Sequence, residues 1–430
     1  MSGRTSARAE RVRTSAERHR GLDEVGSTAE ARPSVWVVGA VASMIAVAFM
    51  GSVVVTPLYS LYQRKFGFSE ITLTLIYATY VVGNVAALLL FGQISDQVGR
   101  KRVSLPTLAL AMASAAVFLF ATGTLWLFVG RLLFGLAVGI LSGVGTAWLA
   151  EQHGEGGRSR ATVVATTANL CGIAVGPLLG GALAQYAPWP FQLPFVVYIA
   201  VAAGVAIAIA KTPETRQRSI DSVGELRVSI RLGVPRESLG AFAAPAVTGF
   251  VIFSLAGLYF ALIPGILIHD IHESNVAVGG GTVFEFGLVG AACIFLARAL
   301  KPRHVMTAGL VLLLPAVALV VAAQAAGSLA LLLIATALAG VAVALGYRGG
   351  LETINRIAPD ENRAEVVSSY YIACFVGNAV PVVGIGVLST LTAALTASIT
   401  FACTVALLSL AALAWQRRTE AAPRKTRPDR

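Results

Sequence analysis

Gly92-Gln-Ile-Ser-Asp96-Gln-Val-Gly99-Arg100-Lys101-Arg102-Val103 lies between two long apolar segments, and its reading decides the fold. Three adjacent cations, a carboxylate and two glycines cannot rest in hydrocarbon, where no water completes their hydrogen bonds. The stretch is therefore a tight, water-facing turn between two membrane helices. Composition agrees: 56% of the 430 residues are hydrophobic, 13% are charged, and the mean hydropathy is +0.75. That leaves too little polar surface for a soluble protein of this length.

A helix needs about 20 mainly apolar residues to cross a bilayer. Segments of this kind recur twelve times. The first six predicted spans are Trp36–Tyr59, Ile71–Phe91, Ser104–Gly123, Leu125–Ala150, Thr162–Ala184 and Pro194–Ala210. The second six are Ala241–Ile268, Val276–Ala297, Val305–Ala325, Leu329–Gly346, Val366–Leu388 and Thr390–Trp415. The expected fold is an all-α polytopic membrane protein of two six-helix bundles, 36–210 and 240–415. A polar linker, 211–239, joins them. Residues 1–35, rich in Arg, Ser and Ala, read as a disordered cytosolic tail, and 416–430 as a basic tail. The first apolar segment is too long for a signal-peptide core and reads as a retained span.

With the N-terminus inside, 30 of the 33 Lys and Arg fall on one side, Arg64 and Lys65 fall on the other, and Arg131 lies within a span. Cytosolic loops hold the excess of cations, so both termini are expected in the cytosol, with the protein in the cell membrane. The net charge of +11 then belongs to that face. It is spread over seven short segments, which suits anionic lipid headgroups and argues against a nucleic-acid partner. Cys171, Cys293, Cys374 and Cys403 all fall in predicted spans without metal-ligand spacing. They read as small apolar packing residues, and no metal or cofactor is expected. No nucleophile, base and acid cluster in the spans, so the chain does not read as an enzyme.

The 92–103 turn resembles the signature loop of the major facilitator superfamily, matching it at Gly92, Asp96, Gly99, Arg100 and Lys101, with Gln97 where an Arg is usual. Arg131-x-x-x-Gly135-x-x-x-Gly139 resembles the superfamily's Arg-bearing motif. Its small residues at helical spacing also permit close packing. Gly172-Ile-Ala-Val-Gly176-Pro177-Leu-Leu-Gly180-Gly181 resembles the motif of the twelve-helix drug:proton antiporters. Physically, it gives a flat helix face with a removable bend at Pro177. Lys211-Thr-Pro213-Glu214-Thr215-Arg216 is similar to a tail found after the sixth span in many members.

An internal repeat supports two parallel halves. Arg160-Ala-Thr-Val163-Val164 recurs as Arg363-Ala-Glu-Val366-Val367, with Pro177 and Pro381 following, and Lys301-Pro-Arg303-His-Val305 weakly echoes the signature turn. The resemblance implies alternating access around a midplane site between the halves. It also implies that Asp96 caps the first turn of the eleventh span, near Arg363–Val367, in the outward-open state, with Arg100 holding Asp96 or an acid such as Glu151.

Many relatives with the antiporter motif carry the coupling carboxylate in the first span, and this chain has no acid there. Glu285 is the one carboxylate deep in a predicted span. An intramembrane acid marks a functional site by default, and Glu285 reads as the proton carrier, with Arg131 as its companion charge. Tyr80, Asn84, Asn169, Tyr259, Phe284, Tyr371 and Asn378 are candidates for the substrate cavity, each equally able to serve as interhelical hydrogen bond or packing ring. Glu285 with aromatic neighbours suits a lipophilic cation. The expected activity is proton-coupled efflux of drug-like small molecules by a monomer, with a small-metabolite importer or facilitator as the alternative.

Overall fold

The structure is a computed structural model that describes residues 34–91, 94–153, 158–215, 232–297, 300–359 and 362–421. The expected N-terminal tail and much of the linker and C-terminal tail lie outside these. Among the described residues no strand occurs and twelve helices are long and apolar enough to cross a membrane. Spans 1 to 6 are Val35–Phe66, Glu70–Phe91, Arg100–Leu119, Thr124–His153, Arg160–Tyr186 and Leu193–Ala210. Spans 7 to 12 are Arg236–Ala261, Val276–Leu296, Pro302–Ala326, Leu329–Ile357, Glu365–Leu391 and Ala394–Arg418.

Every predicted span has its helix, and the differences at the ends have local causes. Span 10 runs eleven residues past Gly346 to Ile357 because Tyr-Arg-Gly-Gly-Leu-Glu contains no proline and the helix continues beyond the apolar window. Spans 1 and 7 are broken where hydropathy predicts continuity. Helix ends at Val54, turns through a 3₁₀ segment at Thr56–Leu58 and resumes over Tyr59–Phe66. It likewise ends at Ala261 and resumes over Ile263–His269. Pro57 and Pro264 stand at the two restarts, where a residue without N–H cannot bond to the preceding turn. They lie 207 positions apart, close to the repeat interval, so the break is a shared feature of the halves.

Large apolar side chains such as Leu132, Val163, Ile207, Phe295, Ile334 and Leu407 face outward, the surface a helix bundle presents to lipid. Inside, small residues let backbones approach. A Cβ at Gly83, Gly135 or Gly139 would collide with the partner helix between spans 2 and 4, and one at Gly309 or Gly349 would do so between spans 9 and 10.

The halves meet through spans 5 and 8 and through spans 2 and 11. Gly280 abuts the Pro177 carbonyl, Gly181 abuts Val276 and Gly386 abuts Thr74. Tyr77 Oη donates to Asn378 Oδ1 at 2.7 Å, Asn275 Nδ2 to Tyr186 Oη at 3.0 Å, and the Val276 N–H to Gln185 Oε1 at 2.9 Å. These contacts run from the middle of the bundle to the end away from the chain termini. That end is sealed.

Candidate functional site

At the termini end, Gly92 lies outside the described residues, and the turn continues as a short helix, Ile94–Val98. Gly99 follows with φ 116°, and a Cβ there would sit 2.7 Å from the Glu214 carboxylate, so both conformation and space require glycine. Glu214 accepts hydrogen bonds from the N–H groups of Arg100 at 2.8 Å, Lys101 at 3.3 Å and Arg102 at 3.2 Å. A carboxylate brought from beyond span 6 thus caps the start of span 3, where unpaired N–H groups and the helix dipole favour negative charge. The Pro213-Glu214-Thr215 tail, a weak signal in sequence, is a structural part of the signature turn. Lys101 Nζ completes the exchange by donating to the carbonyls of Ala210 at 2.5 Å and Thr212 at 3.0 Å, at the end of span 6.

Arg100 is 4% exposed and is the centre of this network. Its Nη2 donates to Asp96 Oδ1 at 2.5 Å and to Glu151 Oε1 at 2.8 Å, and its Nη1 to Ser95. The other Glu151 oxygen accepts from Thr215 Oγ1 at 3.0 Å. One guanidinium fork therefore ties the turn, the end of span 4 and the tail of span 6. With the opposite end of the bundle sealed, Asp96 is engaged by Arg100 in its own half.

Arg131 in span 4 is 1% exposed. Its Nη1 donates to the Ser52 carbonyl of span 1, and its guanidinium carbon lies 5.6, 5.3 and 4.9 Å from the ring centres of Tyr59, Tyr77 and Tyr80. A desolvated cation held by π faces gains about 2 kcal/mol or more at each good face, which helps offset the cost of burying it. Asn84 donates to Tyr80 Oη at 3.3 Å, and Tyr77 carries the cage across to Asn378, which also donates to the Phe253 carbonyl at 3.2 Å. Four candidates, Arg131, Tyr80, Asn84 and Asn378, are thereby brought together. Ser52, Tyr59 and Tyr77 complete the group and were not anticipated; Tyr59 and Tyr77 look like ordinary aromatic packing in a hydrophobic run.

In span 5, Gly172, Gly176 and Gly180 all press on span 1, against the carbonyls of Ala46, Met50 and Val54. Gly181 faces the other way, onto Val276, Ala277 and Gly280 of span 8, and the Pro177 carbonyl meets Gly280. The motif therefore clamps span 5 to its own half on one face and to the second half on another.

Glu285 is half-buried in span 8, and its Oε2 is enclosed with no hydrogen-bond partner. It lies near Tyr259, which is fully buried and stacks on Phe286 with ring centres 4.8 Å apart. Tyr371 forms a separate group: its Oη is 3.2 Å from Tyr347 Oη and its ring stacks on Phe375 at 6.3 Å. Asn169 and Phe284 are half-buried and join neither group in any described contact.

A twelve-span bundle of two repeated halves, with an arginine-centred turn at one end and a clamped glycine-proline helix between the halves, is the build of a membrane carrier. Residues 41–300 match the sequence model of the Major Facilitator Superfamily, and the chain belongs to that family. It is similar to Multidrug resistance protein MdtM of Salmonella typhimurium, 26% identical over 53% of this chain and 56% of that protein. Similarity to Multidrug transporter MdfA of Escherichia coli is 28% identity over 53% of this chain and 55% of the relative. The chain thus spans about half the length of the relatives it matches. Among solved structures, a bacterial homolog of the human lysosomal transporter Spinster, inward-facing and unoccupied, superposes with a TM-score of 0.65 at 14% identity, over 90% of this chain and 95% of that one. A peptide transporter, POT, in complex with sulfate gives 0.73 at 13% identity, over 89% and 94%. The chain's twelve candidate spans make it a multi-pass membrane protein of that superfamily.

Proposed function

We propose that this protein exports drug-like or lipophilic small molecules from the cytosol in exchange for protons, by alternating access. The observation that carries this reading is Glu285: a carboxyl group within a span, with an enclosed oxygen that has no partner, is placed to take up and release a proton. The similarity to multidrug transporters and the span 5 clamp support the direction of transport. Each proton moving down the membrane potential supplies about 2.3 kcal/mol per 100 mV, enough for a substrate gradient of about 40-fold.

In this scheme both termini lie in the cytosol, the protein works as a monomer in the cell membrane, and the sealed end faces outward. Asp96 leaves Arg100 in the opposite state to cap span 11, while Glu151 keeps the arginine paired. Asn169, Tyr259, Phe284 and Tyr371 line the substrate path with Glu285, and the Arg131 cage forms its wall. The test is accumulation of lipophilic cations and neutral antibiotics in cells with and without the gene. Reduced accumulation that a protonophore abolishes is expected; increased uptake of a nutrient, or no protonophore effect, would overturn the reading.

A further inference from the structure

At the end opposite the 94–103 turn, a small crevice is built from both halves. Glu70 and Leu73 enter it from span 2; Leu262, Asp270, Gln324 and Ile385 enter it from the second half. Gln324 is 5% exposed, and its Nε2 donates to Asp270 Oδ2 at 3.1 Å. That bond fixes the amide's orientation, since a carboxylate needs the donor. The remaining Gln324 oxygen is enclosed and has no donor at all. The crevice wall thus carries an acceptor open to a donor from outside the chain.

The other polar groups converge on the same chemistry. Asp270 and Glu70 are close enough to repel one another, and no Lys or Arg is among the lining residues. His269, Gln63, Ser389 and Ser398 also line the crevice, but the two carboxylates and the free Gln324 acceptor suit a cation with N–H donors, and the apolar wall suits a short alkyl part.

We propose that the crevice binds a protonated primary amine. Its ammonium donates to Gln324 Oε1, Asp270 and Glu70, and its alkyl chain lies on Leu73, Leu262 and Ile385. The ligand bridges Glu70 of one half and Asp270 of the other, so it holds this end shut. The site is separate from the Glu285 region and does not rest on proton coupling or drug export.

Acid opposes binding. Burial, aided by the neighbouring Glu70 charge, holds the Asp270 carboxyl above the usual carboxylate range, against the pull of Gln324, His269 and His272. As pH falls, Asp270 takes a proton sooner than an ordinary aspartate and the ammonium loses its partner.

The test is calorimetric titration of the full chain in lipid nanodiscs with propylammonium, tetramethylammonium and sodium ions. Propylammonium is expected to bind, with tetramethylammonium, which has no N–H, and sodium, which has no alkyl part, at least about tenfold weaker. Asp270→Asn and Gln324→Leu should each weaken propylammonium at least about tenfold, with melting curves showing that the variants are folded. The discrimination among the three ions needs no variant. Absence of propylammonium binding, equal binding of the three ions, or undiminished binding by a folded Asp270→Asn protein would overturn the proposal.

Discussion

Arg131 and Glu285 both lie within spans of this protein, and their surroundings are opposites. Arg131 is wholly enclosed, bonded to the Ser52 carbonyl and surrounded by three tyrosine rings. Glu285 is half-buried, with one oxygen enclosed and unpartnered. A guanidinium keeps its charge under all ordinary conditions, so the protein must solvate it permanently; the Ser52 carbonyl takes Nη1 and three rings face the guanidinium, while its Nε has no hydrogen-bond partner. A carboxyl group can become neutral, so it tolerates an incomplete environment and responds to changes in it. The contrast separates a fixed charge packed among helices from a variable one, which we propose carries the proton.

The sharpest way to break this comparison is Arg131→Met. It removes an ionic hydrogen bond worth about 1.5–3 kcal/mol and three cation–π contacts. The melting temperature of the purified protein should fall by several degrees and transport should drop to background; a variant as stable as the parent would show that the cage organises nothing.

Next in size is Glu285→Gln. Substrate-driven proton movement in proteoliposomes should fall by about tenfold or more, while the melting temperature stays within about 2 °C because no hydrogen bond is lost. Retained coupling would reject the role of Glu285. Large destabilisation would place it with Arg131 as an organising charge.

Asp96→Asn tests a third charge that is shared between states. Arg100 keeps Glu151, so stability should change by no more than about 1 kcal/mol, and transport should fall several-fold in vesicles. Unchanged transport would sink the latch role. The smallest effect is expected from Tyr77→Phe, which deletes one hydrogen bond between the halves worth about 0.5–1.5 kcal/mol. Spin-label distances between spans 5 and 8 at the sealed end should report a few-fold larger open population.

The fold is legible in the sequence because hydrocarbon permits little besides apolar helices, so composition alone locates twelve spans. Their ends are less legible. Polar residues after Gly346 continue the helix in water as readily as they would end it, and the breaks at Pro57 and Pro264 sit inside uninterrupted apolar runs. At the candidate site, charged groups such as Arg131, Arg100 and Glu285 can be picked out by chemistry. Their partners cannot. Glu214 caps a helix that starts 114 positions earlier, Ser52 is 79 residues from Arg131, and Gln324 reaches Asp270 across 54 positions. Nothing local in the chain marks a carbonyl oxygen or a tyrosine face as half of a binding arrangement.

The Glu214 cap also has a mechanical meaning. The strand of chain that joins the two halves departs from Thr215, immediately after a carboxylate anchored to the first turn of span 3. Thr215 is itself tied to Glu151, so Glu214 and Thr215 together anchor this end of the first half. The hydrogen bonds that hold Arg100, Asp96 and Glu151 in register thus also hold the chain where it leaves span 6.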